Sequence, residues 1–217
     1  MHALRQCHAD RATAALVLAG DPGGVIHFRD GAVVAAHSPG APGVGTLRVD
    51  DEARDLARAA MSDAAFAIAV GGIAHYALDE SADVLPPALD GVRPDRLLRE
   101  AAVRLAVLAA SPCPLSPYRE RLVPTGRAEP AEQWREIVAH ATGRRTARDI
   151  AFVLGLGVHT VTVEIARMLG EDVLAIVPAA AVTGRAHDVA TLRPRSDQRA
   201  AVAPTGPLPV RRSGQGP

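Results

Sequence analysis

The order of apolar and polar residues near the start of the chain predicts three short strands. Apolar runs occupy residues 14–19, 25–28 and 32–36, and turn residues separate them. The pair Asp30-Gly31 between the second and third runs is typical of a two-residue type I′ hairpin turn. We therefore expect a β-meander that ends in the proline- and glycine-rich loop 38–43.

Two later segments have the spacing of amphipathic helices, with apolar residues three and four positions apart at 51–69 and 94–110. The first begins with acids that suit a helix N-terminus, and Pro94 suits the first turn of the second. Residues 73–81 between them are compatible with a further strand. The acids in question are Asp51, Glu52 and Asp55.

The second half of the chain divides by composition. Four prolines in 111–126 indicate a linker, and 129–143 predicts a helix with Trp134, Ile137 and Val138 on its apolar side. From about residue 184 the chain is rich in Arg, Pro, Ser and Gly and loses periodicity, which predicts a disordered tail.

Residues 158–169 fit two periods. Six β-branched residues favour a strand, since they lower helix preference by roughly 2–3 kcal/mol in total. Three features favour a helix. The apolar spacing continues through Met168, Gly170 stands where a helix C-cap glycine belongs, and upstream Thr146 with Asp149 predicts a capping box. We therefore expect two short helices joined by a glycine turn, as in a helix-turn-helix.

On these residues, the segment IAFVLGLGVHTVTVEIARMLGEDVLAIV resembles the winged-helix DNA-binding domains of bacterial transcriptional regulators. The front of the chain, with GGVIHFRDGAVVAAHSPG, DAAFAIAVG and LLREAAVRLA, resembles the PatA amino-terminal-like domain of unknown function. That domain occurs in signalling proteins beside receiver or DNA-binding modules, and the combination resembles regulator-like proteins of high-GC bacteria.

Together the two resemblances imply an α+β fold, with an N-terminal β-meander and amphipathic helices and a C-terminal winged helix-turn-helix. The expected divisions are an interaction or sensory domain at 1–110, a linker at 111–126, the winged helix-turn-helix at 127–178 and the tail at 184–217.

The winged-helix resemblance also implies a DNA-binding surface, in which the second helix lies in the major groove. The residues expected to contact bases or phosphates are Arg144, Arg145, Arg148, His159, Thr160, Thr162 and Arg167. Charge argues against strong binding. The four arginines at 144–172 are balanced by Asp149, Glu164, Glu171 and Asp172, and the whole chain has 24 basic and 24 acidic residues. The tail, with five arginines and one acid at 193–212, has a charge of +4. It is either a solvated terminus or an arm that contacts DNA.

Other chemistry finds little support in the sequence. Cys7 and Cys113 lie far apart, which suits a reducing cytoplasm. No long apolar run predicts a secretory signal or a membrane span. His27, His37 and His75 lack metal-ligand spacing, and no nucleophile motif is present. We therefore expect a cytoplasmic protein that is not an enzyme and has no cofactor or metal.

Two functions follow. The first is a transcriptional-regulator-like protein that binds DNA weakly through the helix-turn-helix, works as a homodimer and binds a protein partner through its N-terminal domain. The alternative is a signalling adaptor that makes only protein contacts. Neutral charge and the aliphatic Val158 and Val163 motivate this alternative.

Overall fold

A four-stranded antiparallel sheet forms the first part of the molecule, in a computed structural model that describes residues 2–47, 53–81 and 91–178. Its strand order is β3-β2-β1-β4. At the β2–β3 turn, Asp30 and Gly31 both have positive φ angles, 49° and 77°, as the type I′ signal predicts. The strands are β1 (Ala14–Ala19), β2 (Gly24–Arg29), β3 (Ala32–His37) and β4 (His75–Asp79).

Three helices pack on one face of this sheet. They are α1 (His2–Ala9), α2 (Ala53–Gly71) and α3 (Pro94–Ala109). The sequence predicts α2 and α3 to within two residues at each described end, but it does not predict α1. The first apolar core joins side chains of the sheet, such as Leu16, Ile26 and Phe28, with Met61 and Ile68 of α2.

The second part of the molecule is a short two-stranded sheet and three helices. The segment predicted as one helix at 129–143 is a 3₁₀ turn, Glu132–Trp134, followed by a shorter helix than expected. The elements are β5 (Leu122–Pro124), α4 (Arg135–His140), α5 (Ala147–Leu154), α6 (Val158–Gly170) and β6 (Leu174–Ile176). Strand β6 pairs antiparallel with β5. The strand after α6, β6, thus pairs with β5, which precedes α4 in the chain. The described residues show no hairpin after α6.

The helix predicted for residues 158–169 is confirmed, because α6 spans Val158–Gly170. Burial outweighs the β-branched residues' preference for strands. Val158, Val161 and Ile165 are completely buried, and burying a side chain of this size contributes about 1.5–3 kcal/mol. The predicted capping box of α5 is also present, with Thr146 and Asp149 each accepting a hydrogen bond from the other's backbone N–H.

The second core brings together residues from both sides of the segment predicted as a linker. Phe66 of α2 and Leu108 of α3 pack with Ile150 and Val161, and the segment itself contributes the buried Leu115 and Leu122. Met1–Val182 form one compact unit. The observed architecture is therefore mixed α+β, and α5 and α6 share a core with the N-terminal helices.

Two predictions lie outside the described residues. They concern Asp51 and Glu52 at the start of the first predicted helix and the tail at 184–217. Within the described part of the chain, no helix combines the length and apolar character that a bilayer span requires.

Candidate functional site

The start of α6 is the position where a helix-turn-helix protein would contact bases, so its surroundings decide what this pair of helices can do. Helix α5 ends at Gly155, whose φ of 67° lies in the left-handed region that glycine tolerates best. Gly157 then occupies the N-cap of α6 and offers no side chain to the first free N–H groups. Those donors need an acceptor from elsewhere.

Asp63 of α2 supplies that acceptor. Its Oδ2 lies 2.6 Å from the backbone nitrogen of Val158, and its Oδ1 lies 3.0 Å from that of His159. Both N–H groups donate to the carboxylate, which acts as an N-cap from a different helix. The negative charge also suits the positive end of the α6 dipole. The N-terminus of α6 is thereby attached to the interior of the molecule.

The charge balance around Asp63 is set by burial and one arginine. Asp63 is only 2% exposed, and Arg104 Nη1 of α3 lies 3.4 Å from its Oδ1. Burial raises the pKa of the Asp63 carboxyl, and this outweighs the lowering by the two N–H donors and Arg104. The carboxylate is therefore costly to bury, yet it connects α2, α3 and α6 through hydrogen bonds.

His159, a predicted DNA contact, lies against α2. Its ring meets Phe66 edge-to-face at 4.9 Å between centroids, and its Nε2 atom is buried without a hydrogen-bond partner among the described residues. Burial lowers the pKa of His159, and the positive charge of Arg104 lowers it further. A neutral imidazole in this position cannot make a charged contact to phosphate.

The two predicted threonine contacts point in different directions. Thr160 is exposed, whereas Thr162 is completely buried. The Thr162 hydroxyl donates to the carbonyl oxygen of Val158, one turn earlier, at 2.6 Å. In this structure Thr162 presents no atom to a base edge.

Two of the predicted arginines have partners inside the protein. Arg148 donates from Nε and Nη2 to the carbonyl oxygen of Pro39, at 3.2 and 2.7 Å, and its guanidinium lies 4.7 Å from the centre of the Phe152 ring. Through its hydrogen bonds to Pro39, Arg148 joins α5 to the loop that follows β3. Arg145 Nη1 lies 2.7 Å from His140 Nδ1.

The other two arginines are exposed. Arg144 forms no ion pair with any described residue, and Arg167 pairs with Glu164 at 2.7 Å. Glu164 also accepts a hydrogen bond from Trp134 Nε1 at 2.8 Å. The outward side of α6 and its C-cap carries Glu164, Arg167 and Glu171, one positive and two negative charges, for a total of −1. This side does not attract a phosphate backbone.

The predicted contacts thus do not form one basic surface. Thr160 and Arg144 are free to reach a partner, Arg167 is exposed but paired, and the remaining four are engaged within the fold. No group of three or more His, Cys, Asp or Glu side chains in the described ranges has an arrangement that could hold a metal ion.

Sequence reasoning missed Asp63, although two signals for it exist. It is an acid within the otherwise apolar stretch MSDAAFAIA of a helix that packs in the core. In addition, α6 has a glycine at its N-cap, so it needs an external acceptor. An acid on a buried helix face and an uncapped helix start are complementary features.

No protein-family model, curated protein or solved structure matches this chain.

Proposed function

We propose that this protein is a signalling adaptor that acts through protein contacts, and that α5 and α6 are a structural part of its fold rather than a DNA-reading unit. The observation that carries the proposal is the position of Asp63, whose carboxylate occupies the N-terminus of α6. A helix that reads the major groove presents its N-terminal residues to base edges. Here a carboxylate and Phe66 occupy the surroundings of Val158 and His159.

Charge supports the same proposal. DNA affinity depends on neutralising phosphates, so it requires a surface with several unpaired cations. On the outward side of α6 and its C-cap the charges sum to −1, and Arg148 of α5 is committed to Pro39. The arginine-rich tail remains the candidate for residual, non-specific DNA contact.

Exposed apolar residues at the far edge of the first sheet support a partner-binding role. Ile73, Tyr76 and Leu78 are 48%, 59% and 43% exposed, and all three lie at or beside β4. Neighbouring exposed apolar side chains are typical of protein interaction sites. A partner-binding N-terminal part is also what the PatA amino-terminal-like resemblance implies.

The proposal is tested with fluorescence anisotropy on the full chain, using mixed-sequence duplexes over a salt series. We expect no binding that depends on Arg144, Thr160 or Arg167, and at most weak tail-dependent binding. A DNA-binding regulator would give a different result. Its log affinity would fall with log salt concentration, with the slope expected for roughly four to six phosphate contacts. Such a slope, reduced by about one in Arg148→Ala, would overturn the adaptor proposal.

A positive test uses a photo-crosslinking amino acid in place of Tyr76 in the full chain, expressed in its native host. We expect one defined protein to be captured at position 76 and not at position 123, where exposed Val123 lies on the second sheet. Equal labelling from both positions would contradict a specific partner site at β4.

Sedimentation of the same protein tests the predicted homodimer.

A further inference from the structure

Strand β4 lies at one edge of the first sheet, and all five of its residues are exposed. Among the described residues it pairs only with β1. The opposite edge, β3, differs, because Val33 exchanges two backbone hydrogen bonds with Val92, at 2.8 and 2.7 Å. One edge of the sheet is therefore partly covered, and the other presents the outer side of β4 to a further strand.

The sequence of β4 lacks the features by which edge strands avoid association. Natural edges are protected by prolines, by lysine and other charged side chains, or by bulges. The five residues HYALD include no proline, lysine or arginine, and their register with β1 is regular throughout. An edge of this kind accepts an extended segment as an added strand.

Two apolar side chains of β4 lie on the side of the sheet that the helices cover. Tyr76 lies directly opposite Leu18 of β1, and Leu78 lies opposite Leu16. Directly opposed residues of antiparallel strands project from the same face. Leu16 and Leu18 are buried, whereas Tyr76 and Leu78 are about half exposed beside a groove of about 290 Å³ between α1 and β4. The helices therefore leave these two side chains for another chain to cover.

The order of residues in β4 is complementary to itself when two copies run antiparallel about Ala77. In that register, Tyr76 lies opposite Leu78 of the second copy, and His75 lies opposite Asp79 of the second copy. Each pair occurs twice because of the two-fold symmetry. Aromatic–aliphatic pairs and pairs of a base with an acid both stabilise antiparallel strands. The chemistry of β4 therefore fits a second β4.

We propose that β4 binds β4 of a second copy of this chain, antiparallel and centred on Ala77, so that the two sheets become one continuous sheet. This inference rests on the partner-binding role proposed above for β4, and it identifies the partner. The helices of both copies lie on the same side of the joined sheet, because opposed residues share a face. On that side, Tyr76 and Leu78 of the two copies form one apolar cluster between the two α1 helices.

The opposite face of the sheet is also self-complementary in this register. Ala77 lies directly opposite Val17 of β1, which is 41% exposed. The two Ala77 side chains therefore meet at the centre, with a Val17 on each side. The pairs of His75 with Asp79 flank this centre. Asp79 also accepts hydrogen bonds from Ser81, at 3.0 and 2.7 Å, and a carboxylate has the capacity to accept a further one from an imidazole.

Other registers lose these contacts. A shift of two residues places Tyr76 opposite itself or opposite Glu80, and neither shift pairs His75 with Asp79. In the proposed register the two Asp79 positions are separated by about 14 Å along the strands, which is more than the screening length of about 8 Å at physiological salt. Like charges therefore oppose the proposed register only weakly.

Sedimentation of the full chain over a concentration series tests the dimer. A five-residue strand and its groove form a small interface, so we expect a reversible dimer with a Kd on the order of 10 µM. Tyr76→Ser with Leu78→Ser should raise this Kd at least about thirtyfold. The matched control, Val103→Ser with Val107→Ser at exposed positions of α3, should leave it unchanged. A chain that stays monomeric up to about 300 µM, or equal effects of the two variants, would overturn the proposal.

An exchange of charges tests the antiparallel register. His75→Asp places an acid opposite Asp79 at both ends of the interface and should weaken the dimer about tenfold. Asp79→Lys places a cation opposite His75 and should weaken it as well. The double variant, His75→Asp with Asp79→Lys, restores opposite charges and should return the Kd to within about threefold of the native value. A double variant no tighter than the single variants would overturn this register.

A disulfide at the two-fold axis tests the geometry directly. Residue 77 lies opposite itself, with Cα atoms about 4.5–5.5 Å apart, which a disulfide can span. Ala77→Cys should therefore form a disulfide between two copies on mild oxidation, identified by peptide mass spectrometry. Asp79→Cys is the matched control, because its two thiols would lie about 14 Å apart. Equal disulfide formation at both positions would contradict the proposal.

Failure of the dimer and failure of the adaptor function give different results. A purified monomer without DNA affinity would overturn the β4 dimer and leave the adaptor function, with a different protein captured at position 76. A β4-linked dimer that binds DNA through α6 would overturn the adaptor function and leave the dimer.

Discussion

The Asp63 carboxylate of α2 lies 2.6 Å from the backbone nitrogen of Val158, 95 residues later in the chain, where α6 begins. A buried acid on one helix thus replaces the capping side chain that Gly157 cannot offer to another. Arg104 of α3 meets the same carboxylate. Three helices are joined at one point, and this point is where a DNA-reading helix would need a free end.

Removing Asp63 should destabilise the fold strongly. In Asp63→Ala, two N–H groups and Arg104 lose their acceptor, and we expect the free energy of unfolding to fall by roughly 2–4 kcal/mol. Asp63→Asn keeps one acceptor oxygen and should cost about half as much. Urea unfolding followed by Trp134 fluorescence measures both. The control is Asp55→Ala at an exposed position of α2, and an equal effect of the two alanine variants would contradict the capping role.

The contribution of Asp63 to stability should increase as the pH falls. Because burial raises the pKa of this carboxyl above its ordinary value of 3.8, the folded protein binds the proton more readily than the unfolded chain. Between the two pKa values, lowering the pH therefore stabilises the folded state. The difference in unfolding free energy between the native protein and Asp63→Asn should grow from about pH 7 toward about pH 4. A difference that shrinks on acidification would show a lowered pKa instead.

His159 should have the opposite pH dependence. Its pKa is lowered below 6.5 by burial and then by Arg104, so the unfolded chain takes up the proton first. Stability is lost as the pH falls from 6.5 toward the folded pKa. His159→Phe should remove this loss, and an NMR titration of the imidazole protons should give a midpoint below 6.5. A midpoint above 6.5 would place the ring in contact with solvent or an acid.

Arg148 should matter for stability, whereas Arg144 should not. Arg148→Ala removes two hydrogen bonds to the Pro39 carbonyl and the stacking on Phe152. We expect a loss of roughly 1–2 kcal/mol by urea unfolding. The matched variant Arg144→Ala, at an exposed position, should stay within about 0.5 kcal/mol. Equal stability of the two variants would mean that the contact with Pro39 has no energetic role.

The sequence predicts local features well where one segment carries the whole signal. The Asp30-Gly31 turn requires two positive φ angles, and both residues have them. The Thr146 capping box depends only on residues three positions apart. Helix α6 was harder to predict, because the intrinsic preference of its β-branched residues opposes the burial of Val158, Val161 and Ile165 that stabilises it.

The site could not be predicted in the same way, because its contacts join distant segments. The spacing of apolar residues identifies the buried side of each helix but not which helix it faces. The burial of Thr162, in contrast, can be predicted from the sequence. Thr162 lies four residues after Val158 and three before Ile165, which places it on the buried side of α6, and there its hydroxyl donates to the carbonyl oxygen of Val158. The link from Asp63 to Val158 has no such local pattern.

Amide hydrogen exchange of Val158 and His159, followed by NMR in the presence and absence of a mixed-sequence duplex, tests the central claim most directly. We predict that both amides exchange as slowly as the amides in the core of α6, and that duplex DNA leaves their chemical shifts unchanged. In Asp63→Ala, both amides should exchange faster, through local opening of the start of α6. Fast exchange of these amides in the native protein would contradict the claim that Asp63 caps α6. Chemical-shift changes at Val158, His159 and Thr160 that saturate with added duplex would contradict the claim that this end of α6 does not contact DNA.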